Sequence, residues 1–182
     1  PQQDAGGAWD TGGYDWDALA RSVDILRIPM INGASANGQS ISLMEECLRA
    51  RLPRLNRLKV QLILSANCYE QVGNEQRPLV YGDALSLASQ ATVAEGQNMV
   101  LPGETISVTL PNLSSGLQQE PDTGQSWFSF KDSAGVEHKV WLENAQSIGR
   151  KLLLAAQFCL RGVTVEALAG TANDARIWDT VR

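Results

Sequence analysis

The fold class of this chain is decided by Val140-Trp141-Leu142-Glu143-Asn144-Ala145-Gln146-Ser147-Ile148-Gly149-Arg150-Lys151 and, shortly after it, by Arg161-Gly162-Val163-Thr164-Val165-Glu166-Ala167-Leu168. Asn144 is a typical helix N-cap, and Gly162 lies just past the expected end of the helix. Between them, apolar residues recur at helical spacing, namely Ile148, Leu152, Ala155, Ala156 and Cys159. A buried strand ending at Glu166 follows. The segment predicts one αβ step of a parallel α/β sheet or barrel.

Length and charge bound the possible functions. With 182 residues the chain is expected to form one domain, and it is too short for a whole eight-stranded α/β barrel of about 250 residues. A formal net charge of -5 disfavours nucleic acid as a partner, because nucleic-acid binders gather Lys and Arg on one face. Neither a membrane span nor a signal peptide is evident. Residues 1–14 are interpreted as a linker or a cut point.

Cysteine and histidine usage points away from a metal centre. Cys47, Cys68 and Cys159 lie in or beside apolar segments, which favours buried free thiols, with one disulfide plus a free thiol as the alternative. The chain has a single histidine and no C-x-x-C pair, so the usual ligand sets of zinc are missing. The sequence predicts neither a metal nor a cofactor.

Two parallel units and an insertion are predicted along the chain. Helices are expected over 15–22 and 40–51 and strands over 23–31 and 58–66, with a polar loop at 67–70. A helix over 80–94 and a hairpin of 126–132 with 137–141 follow, and 106–110 is a candidate third strand of the hairpin's sheet. The predicted division is a barrel part at 15–69 and 140–182, with an α+β insertion at 70–139.

Several segments, in order, resemble the C-terminal half of a glycoside hydrolase family 18 barrel, the chitinase-like family, near its spore-cortex and LysM-linked branch. Residues 141–151 are similar to the family signature W-Y/F-D/E-D/N-x-x-S-I/V-x-x-K, and 79–84 resemble the start of its insertion domain. Residues 15–28 and 168–179 resemble its segments around the sixth strand and at the end of the barrel. The resemblance implies a partial, half TIM-type barrel with parallel strands and a small α+β insertion.

The departures from this family concern its catalytic site. Its proton donor is the Glu of a D-x-x-D-x-D-x-E motif on the fourth strand, and that motif does not occur in this sequence. Its Tyr and Asp on the sixth strand, which orient the substrate acetamido group, correspond to Ile31 and Asn32. Its eighth-strand Trp, the floor of a sugar subsite, corresponds to Glu166, which cannot stack on a sugar. The resemblance therefore implies a degenerate site.

The candidate glycan-binding residues are Asn32, Asn67, Tyr69, Glu166 and Trp127. Glu166 follows an apolar strand at the rim where barrels bind ligands, although a solvated or Arg-paired carboxylate is the simpler interpretation. The two asparagines also suit turns. Trp127 lies on the strand face opposite Phe128 and Phe130 and is a candidate sugar platform, whereas Trp141 is expected to pack. No catalytic residue is assigned.

Three functions stay open. The leading hypothesis is a non-catalytic or incomplete module that binds N-acetylglucosamine-containing glycan, either peptidoglycan or chitin, within a larger protein of the cell envelope or the extracellular space. The alternatives are a fragment of an active hydrolase whose catalytic Glu lies upstream, and a structural or protein-interaction domain. A half barrel leaves strand edges open, so the missing N-terminal barrel half, a partner chain or a homodimer is expected as a partner.

Overall fold

The structure is a computed structural model that describes residues 2–3, 7, 9–31, 40–88, 92–93, 108–109, 114–168 and 173–181. Its helices are α1 (Trp16–Ser22), α2 (Ile41–Arg51), α3 (Tyr81–Ala88), α4 (Ala145–Gln157) and α5 (Arg176–Thr180). Its strands are β1 (Gln2–Gln3), β2 (Trp9–Asp10), β3 (Leu26–Pro29), β4 (Val60–Ser65), β5 (Cys68–Val72), β6 (Glu75–Leu79), β7 (Thr92–Val93), β8 (Val108–Thr109), β9 (Gln118–Gln119), β10 (Ser126–Lys131), β11 (Glu137–Leu142) and β12 (Gly162–Glu166).

A parallel sheet in the order β12-β4-β3 carries the α/β part of the fold. Helices α2 and α4 cover one face of this sheet, where their apolar stripes pack on the strands in one hydrophobic core. Fully buried members of that core include Met44, Leu48, Leu62, Leu64 and Ile148. The apolar periodicity of the helices and the strands thus produces one helix-covered layer, as in a segment of an α/β barrel.

The other face of the parallel sheet is polar. Gln61 on β4 accepts hydrogen bonds from Arg27 Nε at 3.3 Å and from Thr164 Oγ1 at 3.4 Å. These side-chain hydrogen bonds link all three strands. Among the described residues, β3 and β12 each pair with β4 alone. The sheet is therefore open at both edges within this part of the chain.

An antiparallel sheet in the order β6-β5-β11-β10-β9 begins directly after β4. Helix α3 covers one of its faces, where Cys68, Ala84, Phe128, Val140 and Leu142 form a second core. The Asp132–Gly135 turn joins β10 to β11, and the Asp132 carboxylate accepts from the backbone N–H groups of Ala134 and Val136. The expected α/β fold class, with parallel strands and an α+β part, is confirmed.

A buried ion pair fixes the antiparallel sheet to the parallel part. Glu143, directly after β11, lies 2.6 Å from the Nζ of Lys151 on α4, and both side chains are almost completely buried. The Glu143 carboxylate also accepts from Gln125 Nε2 and from Ser147 Oγ, each at 2.6 Å. All of these charges and donors are thus paired, as buried ionic groups require.

Local signals in the sequence located most elements of the fold. Helix α4 has the predicted N-cap, since Asn144 and Ser147 form a reciprocal capping box. Helices α1 and α2 are capped by Asp15 and Ser40 at the predicted starts. The hairpin of β10 and β11 has the predicted turn. The division of the chain at residues 70 and 139 stays a prediction.

Three predictions about elements were wrong. Residues 68–70, expected in a polar loop, belong to β5, because pairing with β6 and β11 outweighs the weak strand propensity of this segment. Helix α3 ends at Ala88 rather than at residue 94, and Thr92–Val93 is the strand β7. Strand β8 pairs with β7 and does not join the hairpin's sheet. Cys159 is exposed beyond the end of α4, whereas Cys47 and Cys68 are buried free thiols as predicted.

Candidate functional site

The carboxyl end of β4 brings three of the five predicted site residues together around Ser65. The Ser65 hydroxyl accepts a hydrogen bond from the backbone N–H of Asn67 at 3.2 Å, and it lies 3.4 Å from the Tyr69 hydroxyl. Ser65 is also the register partner of Glu166 on β12. This arrangement follows from the topology, because neighbouring parallel strands end at the same edge of the sheet.

Glu166 presents a free carboxylate at this edge. Its side chain is exposed, whereas Val163 and Val165 on the same strand pack against the helix-covered core. Glu166 therefore points to the open face of the sheet, on the same side as Ser65. Within the described part of the chain, no Arg or Lys lies within ion-pair distance of Glu166.

An aromatic row leads from Tyr69 across the antiparallel sheet. Tyr69 on β5 is the register partner of Trp141 on β11, and Trp141 is the partner of Trp127 on β10. Directly opposite residues of antiparallel strands project from the same face. Tyr69, Trp141 and Trp127 thus lie side by side, and the two indole rings have centroids 5.6 Å apart. Tyr69 and Trp127 are half-buried and Trp141 is buried.

Lys139 lies between the two tryptophans. Its Nζ is 4.0 Å from the centroid of the Trp127 ring and 4.3 Å from that of the Trp141 ring. Both distances are typical of cation–π contacts. Desolvation lowers the pKa of Lys139, while the charges of Glu120 and Glu137 act in the opposite direction. We call Trp127, Lys139 and Trp141 the indole wedge.

A groove of 750 Å³ extends from the indole wedge over the outer face of the sheet. Trp127 and Lys139 line it together with Gln71, Ser115 and Ser129. Glu137 lines it as well. Its walls therefore combine an aromatic ring with amide, hydroxyl, ammonium and carboxylate groups. Such a mixture suits a polar ligand with hydroxyl and amide substituents.

The remaining predicted site residue, Asn32, lies outside the described residues. Its neighbour Ile31 is only 4% exposed and belongs to the core that α2 and α4 cover. A buried aliphatic side chain cannot hydrogen-bond an acetamido group. The side chain at this position therefore packs rather than binds.

Covalent catalysis has no support among the described residues. The hydrogen-bond partners of the Ser65 hydroxyl include no histidine or carboxylate that could activate it. Desolvation raises the pKa of the Cys68 thiol to about 12, which keeps this neighbouring sulfur protonated and a poor nucleophile. In the described residues, no cluster of His, Cys, Asp and Glu could hold a metal ion.

Sequence reasoning missed Ser65, Lys139 and the position of Trp141. Ser65 is an ordinary strand residue until the register places it beside Glu166 and Tyr69. Trp141 was expected to pack, and it does so, but against Trp127 and Lys139 within the aromatic row. Alternation along 137–142 places Lys139 and Trp141 on one face, yet only the pairing of β11 with β10 and β5 identifies their neighbours.

Among the described helices, none has the length and apolar composition that a membrane crossing requires. No protein-family model and no curated protein sequence matches the chain.

The solved structures that resemble this chain include chitinases and spore cortex-lytic enzymes. The chain superposes on a chitinase from Chromobacterium violaceum ATCC 12472 with a TM-score of 0.68 and 22% identity, covering 93% of this chain and 48% of the chitinase. For the spore cortex-lytic enzyme SleL of Bacillus megaterium QM B1551, the TM-score is 0.68 at 18% identity, and the match covers 92% of this chain and 35% of SleL. For a glycoside hydrolase family 18 N-acetylglucosaminidase from Paenibacillus barengoltzii, the TM-score is 0.55 at 7% identity, and the match covers 90% of this chain and 49% of that enzyme.

The fold is therefore that of a chitinase-like α/β barrel, and at these identities the likeness concerns the fold alone. The chain spans about half the length of the chitinase and about a third of the length of the cortex-lytic enzyme. Strands β3, β4 and β12 form the parallel sheet of this chain.

Proposed function

We propose that this chain is a non-catalytic or incomplete glycoside hydrolase family 18-like module that binds N-acetylglucosamine-containing glycan. The observation that carries this proposal is that Tyr69 lies beside Ser65, the register partner of Glu166, and begins the row of register partners that leads through Trp141 to Trp127. Peptidoglycan and chitin are the candidate ligands. The module would act within a larger protein of the cell envelope or the extracellular space, where such polymers occur.

The chemistry of this surface matches an amino sugar. A pyranose ring offers an apolar C–H face to an aromatic ring and hydroxyl groups to polar side chains, and Tyr69 supplies both an aromatic ring and a hydroxyl. Glu166 and Ser65 at the strand ends can accept hydrogen bonds from sugar hydroxyls or from the acetamido N–H. The side chain of Asn67, which leaves the same strand end, is a further candidate contact.

The absence of hydrolysis is proposed from the sequence and supported by the site. The chain lacks the D-x-x-D-x-D-x-E motif, Ile31 packs in the core, and the sequence resemblance implies that Glu166 corresponds to the family's subsite Trp. Glu166 is one exposed carboxylate, whereas glycoside hydrolysis uses a general acid together with a second group that attacks or activates the attack.

Binding measurements test this function. Isothermal titration with chitooligosaccharides and with soluble muropeptides is expected to show binding of at least one glycan. Tyr69→Ala should weaken it about tenfold, because it removes an aromatic contact of about 1.4 kcal/mol. Trp127→Ala should weaken it as well, because it removes a ring that lines the groove and contacts the Lys139 ammonium. Tyr14→Ala, which removes an exposed tyrosine outside this surface, is the matched control. Failure of both glycan classes to bind the folded protein would contradict the proposal.

A second function, part of an active hydrolase, is favoured by the open edges of the parallel sheet. Strands β3 and β12 would pair with further barrel strands, from the missing N-terminal barrel half, a partner chain or a second copy. A D-x-x-D-x-D-x-E motif in the preceding part of the gene, together with chitin or peptidoglycan hydrolysis by the complete protein, would establish this alternative. Hydrolysis that survives substitution of the motif's Glu would contradict it.

A further inference from the structure

We propose that the indole wedge selects glycans that carry a carboxylate over neutral chitooligosaccharides. This inference rests on the proposed function and adds to it the chemical class of the ligand. The position of the Lys139 ammonium on the binding surface is the observation from which it starts.

The Lys139 ammonium occupies indole faces that a neutral sugar would otherwise use. Its Nζ lies 4.0 Å and 4.3 Å from the centroids of the two rings, so it covers one face of Trp127 and one of Trp141. A sugar could stack on these faces only by displacing a cation that both rings attract. An anionic group can instead approach the ammonium without breaking either cation–π contact.

The charge of Lys139 is available to a ligand. Among the described residues, no carboxylate lies within the 4.0 Å of an ion pair to Lys139, although Glu137 lines the same groove. The Glu120 and Glu137 carboxylates act on the ammonium electrostatically, but among the described residues neither forms an ion pair with it. A ligand carboxylate would therefore supply a direct counter-ion. A partly desolvated pair of this kind is stronger than one in open solvent.

The groove beside Lys139 has room and polar groups for the rest of such a ligand, although Ser129 Oγ donates to Ser115 Oγ and Gln71 Nε2 donates to the Gly73 carbonyl. Its volume of 750 Å³ lies in the range of small-molecule sites. The hydroxyls of Ser115 and Ser129, which lie 3.2 Å apart, and the amide of Gln71 line it next to the ammonium. A carboxylate at Lys139 can therefore be accompanied by hydrogen bonds to sugar hydroxyls or amide groups.

Two parts of peptidoglycan supply a carboxylate. One is the lactyl group of muramic acid in glycan without peptide, and the other is a free carboxylate of the stem peptide. The shared chemistry is a carboxylate on a backbone that contains N-acetylglucosamine. Chitin has the same backbone sugar without the acid, and it is the natural neutral comparison.

The test compares three probes on the intact chain. They are chitotetraose, a peptide-free tetrasaccharide of alternating N-acetylglucosamine and N-acetylmuramic acid, and the same tetrasaccharide with stem peptides. Lys139→Met keeps the length and apolar contacts of the side chain, and Lys131→Met removes an exposed cation from the same strand pair as the matched control. Circular dichroism and thermal unfolding establish that each variant is folded.

We expect Lys139→Met to weaken binding of at least one acidic probe about tenfold and to leave chitotetraose binding within twofold, with Lys131→Met like the wild type. Loss with the peptide-free probe identifies the lactyl carboxylate, and loss with the peptide-bearing probe alone identifies the stem. As a measurement independent of any variant, raising NaCl from 50 to 300 mM should weaken acidic-probe binding by the wild type more than chitotetraose binding.

The possible failures are distinguishable. If the wild type binds all three probes equally, and salt or Lys139→Met affects all of them equally, the inference is overturned while glycan binding stands. If the wild type binds chitotetraose alone, selection of acidic ligands is likewise overturned. If no probe binds the folded wild type, the proposed function fails, and this inference fails with it.

Discussion

At the scale of single residues, Lys151 depends on its ion pair, because its charged side chain is completely buried. Its Nζ lies 2.6 Å from Glu143, whose carboxylate also accepts from Gln125 and Ser147. Lys151→Met removes the cation and leaves a buried carboxylate without its counter-charge. We expect the free energy of unfolding to fall by about 3–5 kcal/mol, measured by urea denaturation.

The double variant Glu143→Leu with Lys151→Met is the informative companion to this experiment. It removes both charges, so it should be more stable than Lys151→Met alone. Lys131→Met, at an exposed lysine, should change the free energy of unfolding by less than about 0.5 kcal/mol. A single variant as stable as the wild type would show that this ion pair does not hold the two sheets together.

Gly135 is required by the conformation of the hairpin turn rather than by space. Its φ is +79°, and a Cβ added there would meet nothing within 4 Å. We expect Gly135→Ala to cost about 1 kcal/mol, because an L-residue is disfavoured at this φ. Gly116→Ala, at another open position without a positive φ, is the control in the same denaturation experiment. Equal stability of the two variants would contradict the argument.

At the scale of elements, the pairing of β5, β6 and β11 depends on charge. Glu70 on β5 is only 1% exposed, and it contacts His138 Nδ1 on β11 at 2.7 Å and Arg77 on β6. Burial alone would raise the pKa of Glu70, but the hydrogen bonds from His138 and Arg77 outweigh it, so this pKa lies below the ordinary value of 4.5. Folding therefore favours the ionised carboxylate.

The sign of the resulting pH dependence follows from linkage. Because the pKa of Glu70 is lower in the folded than in the unfolded chain, its contribution to stability is present above pH 4.5 and is lost as the pH falls through the folded pKa. Urea unfolding from pH 7 to pH 3 should show a smaller loss of free energy for Glu70→Gln than for the wild type. Glu75→Gln, at an exposed position of β6, should follow the wild type. Parallel curves for Glu70→Gln and wild type would refute this role.

The contrast between α4 and β5 shows which elements the sequence can predict. Helix α4 can be predicted from local sequence alone, since an N-cap, a capping box and an apolar stripe all lie within one segment. Strand β5 pairs with β6 in a local hairpin, but its other partner, β11, lies about 70 residues later. Local patterns cannot specify the pairing with β11, and 68–70 is therefore predicted as a loop.

The candidate site divides in the same way. Glu166, Asn67 and Tyr69 could be predicted to share one edge, because the ends of neighbouring parallel strands meet there. The alignment of Tyr69, Trp141 and Trp127 depends on the register of three antiparallel strands, and a shift by one residue would turn Trp141 to the opposite face. Lys139 gains its significance only from that register.

At the scale of the whole molecule, the open parallel sheet makes a prediction about solution behaviour. Strand β4 is paired on both sides, whereas β3 and β12 are paired on one side each within the described residues. In hydrogen exchange on the isolated chain at low concentration, amides of β4 should exchange slowly. About half of those in β3 and β12, namely the ones directed away from β4, should exchange much faster because they bond to solvent.

Raising the protein concentration separates the possible partners: protection of both outer edges that grows with concentration would identify a second copy as the closing element. Complete protection at the lowest concentration, with a monomeric mass by light scattering, would contradict an open sheet.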